Sequence, residues 1–189
     1  MKVTKKQLQR IIKEELGTVL SLGPVPISVE AEMVDSAAPV QEQMMGLLSC
    51  LHTAQVWFHS AHLLTKGTGF AGDHVNIYGD IYTALLEDYD GAAEKAIGLT
   101  GDEGVACPHA IMAMSMEKLG KYRSPSDASA AAIADCALEI MHDLNDHVEE
   151  VFSSLESSGQ LALGLNDFLA AAANDYTKYI YLLQQRTRE

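Results

Sequence analysis

The strongest constraint on this chain lies between residues 62 and 94, where metal-ligand side chains stand at both ends of one predicted helix. His62 closes an apolar segment with helical spacing, a Lys-Gly turn follows it, and His74 opens the next helix. We therefore expect the two imidazoles near one corner between two helices. Asp90 and Glu94 lie four residues apart, so they share one face of the second helix and form a carboxylate pair.

The two halves of this ligand set are too far apart to meet within one subunit. At about 1.5 Å per residue, the helix from His74 to Asp90 spans roughly 24 Å. A two-fold axis that lays two such helices antiparallel would bring the histidines of one chain onto the carboxylates of its partner. The sequence therefore predicts a metal site shared between subunits. Imidazole and carboxylate suit iron(II), although zinc, manganese or copper would also accept them.

The residues around these ligands resemble the signature of the Dps family, the mini-ferritins of starved cells. The matching residues are His62, Lys66, Gly67, Phe70, His74, Asp90, Glu94, Lys95 and Gly98. The segment GLNDFLAAAANDYTKYIYLLQQ is similar to the last helix of the family, and the resemblance covers roughly residues 40–187. It implies an all-α, ferritin-like four-helix bundle in a hollow shell of twelve subunits. It also implies a ferroxidase that oxidises iron(II) with peroxide or oxygen, stores the iron and often binds DNA.

One position departs from the family pattern. The pattern has an acidic residue four positions after the second histidine, where this chain has Tyr78, and Asp80 is the nearest acid. The spacing from His74 to the carboxylate pair indicates one extra residue. A helix often absorbs such a residue as a π-bulge, and Gly79 would permit a bulge here. The predicted catalytic and metal ligands are His62, His74, Asp90 and Glu94, with Asp80 or Tyr78 completing the metal shell.

The helices of the predicted bundle follow from apolar residues that recur at spacings of three and four. We predict helices at residues 40–65, 73–98, 126–157 and 160–186. Asp73 is interpreted as the N-cap of the second helix, and the glycines at 98 and 101 as its end. The long connection between the second and third helices carries a short Met-rich helical turn at Met112, Met114 and Met116, and it is long enough to cross the bundle.

The N-terminal segment differs in composition from the rest of the chain. Residues 2–16 predict a short amphipathic helix that carries five cations, and residues 17–38 predict a linker rich in glycine and proline. We therefore divide the chain into a basic tail, residues 1–38, and the bundle, residues 39–189. An apolar stripe in residues 1–16 favours docking onto a protein partner, and contact with DNA is the alternative.

The overall charge and the cysteine pattern limit the other possibilities. A formal net charge of −13 argues against a generally DNA-binding surface and suits the capture of cations. Cys50, Cys107 and Cys136 form no CxxC motif, so we expect reduced thiols, with Cys50 and Cys136 in the core. No signal peptide and no run of 18 apolar residues is recognisable, which favours a cytoplasmic protein without a membrane span.

Several further residues have the chemistry of metal ligands. His52 and His59 share one face of the first helix and could extend the site, although a solvated or interface stripe is the commoner case. Tyr78 and Tyr82 could lie near oxidised iron, although tyrosines that pack an interface are commoner. Glu139 and His142 form an ExxH element, but the chain has no second one, so a di-iron centre within one subunit is not expected.

Two functions of other classes remain open. One is a structural or nucleoid-binding shell whose metal site has decayed, for which Tyr78 is the main support. The other is a cargo or docking protein that recognises another assembly through its N-terminal helix.

Overall fold

The computed structural model describes the backbone of residues 30–188 and the side chains of residues 40–188. These residues contain helices and connecting turns, and no strand occurs among them. The elements are α1 (Glu30–Leu64), α2 (Phe70–Gly72), a π-helical segment π1 (Asp73–Gly79), α3 (Asp80–Thr100), a 3-10 turn (Glu103–Ala106), α4 (Pro108–Leu119), α5 (Ala130–Ser157) and α6 (Leu163–Arg186). Because α2, π1 and α3 are continuous, they form one long helix, and the predicted all-α four-helix bundle is confirmed.

The chain divides into two units, Met1–Ser36 and Ala37–Glu189. The predicted basic helix at residues 2–16 and the linker up to residue 29 lie outside the described residues. The division at residues 38 and 39 stays a prediction.

The structure changes the start of all four predicted long helices, that of the second from residue 73 to Phe70. The first helix begins at residue 30 rather than 40, because the Ala, Glu and Met residues before Pro39 are strong helix formers. The third helix begins at Ala130 rather than at 126 or 127, since the hydroxyl of Ser129 accepts the backbone N–H of Ala132 at 3.2 Å and caps it. The fourth begins at Leu163 rather than at residue 160.

The hydrophobic core lies between the four long helices. α5 buries ten residues in it, as one stripe at the spacing of three and four that the sequence predicts. Trp57 of α1 lies in this core with 2% of its surface exposed, and its indole Nε1 donates a hydrogen bond of 2.8 Å to the carbonyl of Arg123. This bond joins α1 to the connection before α5.

The Met-rich segment of the long connection is a full helix, α4, and buried hydroxyl groups hold it against α1. Ser115 donates to the carbonyl of Ser49 at 3.2 Å, whereas the Thr53 hydroxyl donates to the carbonyl of Ser49 at 2.6 Å and lies 3.3 Å from the carbonyl of Ser115. All three residues are nearly inaccessible to solvent. Since buried hydroxyls are costly unless bonded, the bond from Ser115 to Ser49 helps to hold α4 against α1.

The three cysteines are free thiols. Cys136 is buried in the core, as predicted, whereas Cys50 is half-buried and packs against it. Within the described residues, no helix has the length and apolar character needed to cross a membrane.

Candidate metal centre

The two predicted histidine ligands lie against each other. His62 is in the last turn of α1 and His74 is in π1, and their rings stack with centroids 3.8 Å apart and planes 16° from parallel. The Nδ1 atom of His62 is 2.7 Å from the carbonyl oxygen of His74, and the Nδ1 atom of His74 is 2.6 Å from the carbonyl oxygen of His62. The corner that the sequence predicts is therefore present.

These two hydrogen bonds fix the tautomer of both rings. A carbonyl oxygen can only accept a hydrogen bond, so each Nδ1 atom must carry the proton. The neutral tautomer then has its lone pair on Nε2. Histidines that bind metals usually donate their other ring N–H in this way, which orients the ring and raises its basicity. The pair is thus prepared to offer two Nε2 ligands.

Local helix geometry supplies both acceptor carbonyls. The last four carbonyls of an α-helix have no partner within the helix, and His62 is two residues from the end of α1 at Leu64. The carbonyl of His74 belongs to π1, where the chain carries its extra residue. The helix end and the π-helix therefore each present one carbonyl to the facing imidazole.

Gly79 is the residue that lets this arrangement close. A Cβ atom at this position would lie 2.7 Å from the carbonyl oxygen of His74 and 3.3 Å from Nδ1 of His62. The backbone of Gly79 is ordinary helix, with φ −64° and ψ −48°, so contact rather than conformation requires the glycine. The predicted π-bulge, with Gly79 inside it, is confirmed.

Tyr78 does not complete the metal shell, and that prediction is wrong. Its side chain is fully buried, and its ring centroid lies 6.3 Å from that of Phe58 in the core. Burial raises the pKa of its phenol well above the usual range, with the nearby Asp73 carboxylate adding to the effect, so the group stays protonated. The additional residue of the π turn rotates the helix face, so that Gly79 rather than Tyr78 lies beside the histidines.

Asp80 is exposed, and its carboxylate contributes to the raised pKa of Tyr179 on α6, after burial and the larger effect of Asp175. The described residues bring no third His, Cys, Asp or Glu side chain to the histidine pair. The role of Asp80 as an additional ligand stays a prediction.

Asp90 and Glu94 are exposed on α3, one turn apart. Since about 24 Å of helix separates them from His74, one subunit does not bring the four residues together. This separation agrees with the geometry that the sequence predicts for a shared centre. The meeting of the half-sites between subunits stays a prediction.

Aromatic rings surround the histidine pair on both sides. The Phe70 ring stacks on that of His74 at 5.0 Å between centroids, and the Tyr82 ring lies 5.1 Å from His62. Tyr82 also lies 4.8 Å from His59, so it separates His59 from the pair. These rings give the two imidazoles an apolar border, in which their interactions with a cation are stronger than in water.

His52 does not extend this site, because its ring packs near Tyr89 instead, at 5.9 Å between centroids. Glu139 and His142 are both exposed on α5. The ExxH element therefore faces away from the bundle interior.

Asp73 is not the N-cap of the second helix. That helix begins at Phe70 behind Gly69, and Asp73 is buried inside π1 with its carboxylate bound to the guanidinium of Arg186. The Nε atom of Arg186 is 2.9 Å and 3.1 Å from the two carboxylate oxygens. This ion pair ties π1 to the end of α6. No local sequence pattern marks this pair, because 113 positions separate the partners.

Comparison with known proteins supports the fold. No protein-family model and no curated protein matches the chain. Among solved structures, the chain is similar to Dps of Mycobacterium smegmatis in its tetragonal form, with a TM-score of 0.68 and 19% identity over 80% of this chain and 87% of that one. It is also similar to antigen TpF1 from Treponema pallidum, with a TM-score of 0.69 and 15% identity over 88% of this chain and 100% of that one. The chain therefore has the Dps-type fold, a ferritin-like four-helix bundle, that its sequence predicts.

Proposed function

We propose that the protein is a Dps-like mini-ferritin that binds iron(II) between two subunits and oxidises it. His62 and His74 of one chain would supply two imidazole nitrogens, and Asp90 and Glu94 of the partner chain would supply two carboxylates. The observation that carries this proposal is the stacked histidine pair, in which each Nδ1 donates to the carbonyl of the other residue. The oxidised iron would be stored inside a closed shell, proposed to contain twelve subunits, and DNA would thereby be protected.

The ligand set fits iron as a substrate. Two neutral imidazoles and two carboxylates balance the charge of iron(II), and carboxylate oxygens favour the harder iron(III) product. Both Nε2 atoms are available without rearrangement, because the Nδ1 protons are already held by backbone carbonyls. Two iron(II) ions supply the two electrons that, with two protons, reduce one hydrogen peroxide to two waters. The formal net charge of −13 favours the approach of cations.

A mixed-assembly experiment tests the shared site. Asp90→Ala and His62→Ala chains, each impaired alone, should recover iron(II) oxidation when they are refolded together. A mixed dimer holds one intact site and one site with both defects, so random pairing restores about a quarter of the sites. The exposed His142→Ala substitution is the matched control and should leave the rate unchanged.

Light scattering on the same samples checks that each variant assembles. The unaltered protein should form a large oligomer, of roughly 245 kDa if twelve chains of 20.4 kDa associate. A stable monomer would rule out the shared centre. Assembled mixtures that regain no activity would show that the ligands do not come from opposite subunits.

The alternative function is a catalytically weak structural, DNA-binding or cargo shell. It is favoured by the histidine pair itself, beside which the described part of the chain places Gly79 and no acidic side chain. Under this alternative, the assembled protein would oxidise iron(II) no faster than buffer, both with oxygen and with peroxide. An anaerobic iron(II) titration followed by each oxidant distinguishes the two functions.

A further inference from the structure

A groove of about 260 Å³ lies between α5 and α6. Val148 and Phe152 of α5 line one side of it, and Leu169, Ala170 and Ala173 of α6 line the other. The groove follows from the sequence of α6, which has alanine at four consecutive positions, 170–173. Because alanine ends at Cβ, α6 places no long side chain opposite Phe152 at two of these positions, and a trough remains between the two helices.

The floor of this groove is apolar, and its edge is accessible to solvent. Val148 and Leu169 are buried, Phe152 is half-buried and Ala170 is exposed. A dry cavity of about 150 Å³ is enough to hold a benzene ring, so the groove has room for at least one large apolar side chain of another molecule.

The surface around the groove is acidic. Residues 124–177, which include α5 and most of α6, contain ten Asp and Glu residues and no Lys or Arg. Glu149 lines the groove, the exposed Glu156 lies two turns further along the same face of α5, and Asp167 is exposed in the first turns of α6. We call these three residues the acidic rim. The amide of Asn145 donates a hydrogen bond of 2.8 Å to Oε1 of Glu149, which orients this carboxylate.

An apolar floor with an acidic rim fits one kind of partner. Apolar side chains of the partner would leave water when they enter the groove, and Lys or Arg side chains would lie beside the carboxylates. Nucleic acids and acidic proteins would be repelled by the same charges. A groove between two helices is a common binding site for an amphipathic helix, whose apolar residues recur at spacings of three and four.

We propose that the groove between α5 and α6 is a docking site for a basic amphipathic helix of a partner protein. This helix places an apolar side chain against Phe152 and its Lys or Arg side chains beside the acidic rim. The surface contains no residue of the histidine pair or of the carboxylate pair on α3, so the proposal is independent of the proposed iron chemistry.

The test is a calorimetric titration of the full chain with two synthetic peptides. Each peptide has about 18 residues, long enough for an isolated helix, with leucine at spacings of three and four. One carries lysine and alanine at the remaining positions, and the other carries glutamate and alanine. The lysine peptide should bind once per chain, and its affinity should fall between about 50 and 200 mM salt because salt screens the acidic rim. The glutamate peptide should not bind.

Two matched pairs of substitutions locate the binding site. Ala170→Leu fills the groove, whereas Ala171→Leu adds the same side chain at an exposed neighbouring position that does not line it. Glu149→Lys reverses one charge of the acidic rim, whereas Glu139→Lys makes the same change on the exposed surface of α5, about 15 Å away along the helix. Ala170→Leu and Glu149→Lys should each weaken binding of the lysine peptide about tenfold or more, and the two controls by no more than about twofold.

Light scattering and thermal unfolding check that each variant assembles and folds as the unaltered chain does. If Ala170→Leu alone loses the normal assembly, the groove is a contact between copies of this chain, and the proposal is overturned. A lysine peptide that does not bind, equal affinity for the two peptides, or equal losses within either matched pair would overturn it as well. Equal losses would mean that the whole acidic surface, rather than the groove, attracts the peptide.

Discussion

The residue that decides the geometry of the histidine pair carries no functional group. Gly79 leaves space for the carbonyl of His74, and that carbonyl holds the Nδ1 proton of His62. Gly79→Ala would force the carbonyl or the imidazole to move. We expect the rate of iron(II) oxidation, or the affinity for the metal, to fall about 10- to 100-fold, as is typical when a hydrogen bond that orients a metal ligand is removed.

Gly98→Ala is the matched control for this substitution. It lies on α3, in the same long helix, and a Cβ atom there would meet nothing within 4 Å. Alanine should stabilise the helix at this position by about 0.4–1 kcal/mol and leave the chemistry intact. Oxidation assays and denaturant unfolding of both variants measure the difference. Wild-type activity in Gly79→Ala would contradict the role given to the reciprocal hydrogen bonds.

A second residue prediction concerns His147 on α5. Its Nε2 atom is buried without a hydrogen-bond partner among the described residues and would lie 3.3 Å from a Cβ atom at Gly46. Burial lowers the pKa of this imidazole and the nearby Lys118 lowers it further, while Glu150, 3.5 Å from Nδ1, opposes the shift. The folded state therefore binds fewer protons than the unfolded state once the pH falls below the histidine pKa of the unfolded chain.

Stability should consequently decrease as the pH falls below about 6.5, the ordinary histidine pKa. His147→Gln removes this titration, so its free energy of unfolding should depend less steeply on pH between about 6.5 and 5. The exposed His142→Gln variant is the control and should keep the wild-type slope. Denaturant unfolding at a series of pH values measures all three proteins, and identical slopes would refute the prediction.

Among the elements, the second long helix shows which features the sequence predicts and which it does not. The spacing of His62, His74, Asp90 and Glu94 predicts both half-sites, and one surplus residue predicts the π-bulge. The side chain that the π turn brings beside the histidines is not predictable in this way, because a single added residue rotates the following helix face. Tyr78, which the sequence offers together with Asp80 to complete the metal shell, is buried, and Gly79 lies beside the histidines.

Other differences arise from long-range contacts. Asp73 has the type and position of a helix cap, but its bond to Arg186 depends on how two distant helices meet. Pro39 predicts that the first helix begins after it, because proline usually breaks a helix. The helix formers before Pro39 nevertheless extend α1 back to residue 30. Apolar residues at spacings of three and four, in contrast, predict the number of long helices and the buried face of α5, because such a stripe is visible within one segment of the sequence.

The Asp73 and Arg186 ion pair should matter for the stability of the π segment. Both side chains are largely buried, with 3% and 17% exposed. Asp73→Asn removes one charge and leaves the guanidinium without its buried carboxylate, which should cost about 3 kcal/mol of unfolding free energy. The exposed Asp146→Asn substitution on α5 should change stability by no more than about 0.5 kcal/mol.

A double substitution, Asp73→Leu with Arg186→Met, should recover part of the loss. Replacing a whole buried pair with apolar side chains usually costs less than breaking it. Urea unfolding of the single and double variants provides the comparison. An Asp73→Asn protein as stable as the wild type would show that the pair does not hold π1 in place.

At the scale of the whole molecule, charge separates the N-terminal tail from the bundle. Five of the thirteen Lys and Arg residues lie in the first thirteen positions, and without them the formal net charge of −13 becomes about −18. A basic tail on an acidic body could bind DNA, but its apolar residues Leu8, Ile11 and Ile12 suit a groove on a protein. We predict that docking onto protein is its main role.

Deletion of residues 1–16 tests this prediction. DNA retention should be weak in the full chain and change little on deletion, at salt concentrations from about 50 to 200 mM. Substitution of Leu8, Ile11 and Ile12 by serine, with all five cations kept, is the matched control for the apolar stripe. If deletion removes strong, salt-sensitive DNA binding and the serine variant keeps it, the tail binds DNA rather than protein.

The single tryptophan gives the molecule a built-in optical reporter. Trp57 is 2% exposed, and its indole is bonded to the connection before α5. Its fluorescence should emit at short wavelength in the folded bundle and resist quenching by iodide. Because the chain has no other tryptophan, a red shift of this emission reports the separation of α1 from that connection without any introduced dye.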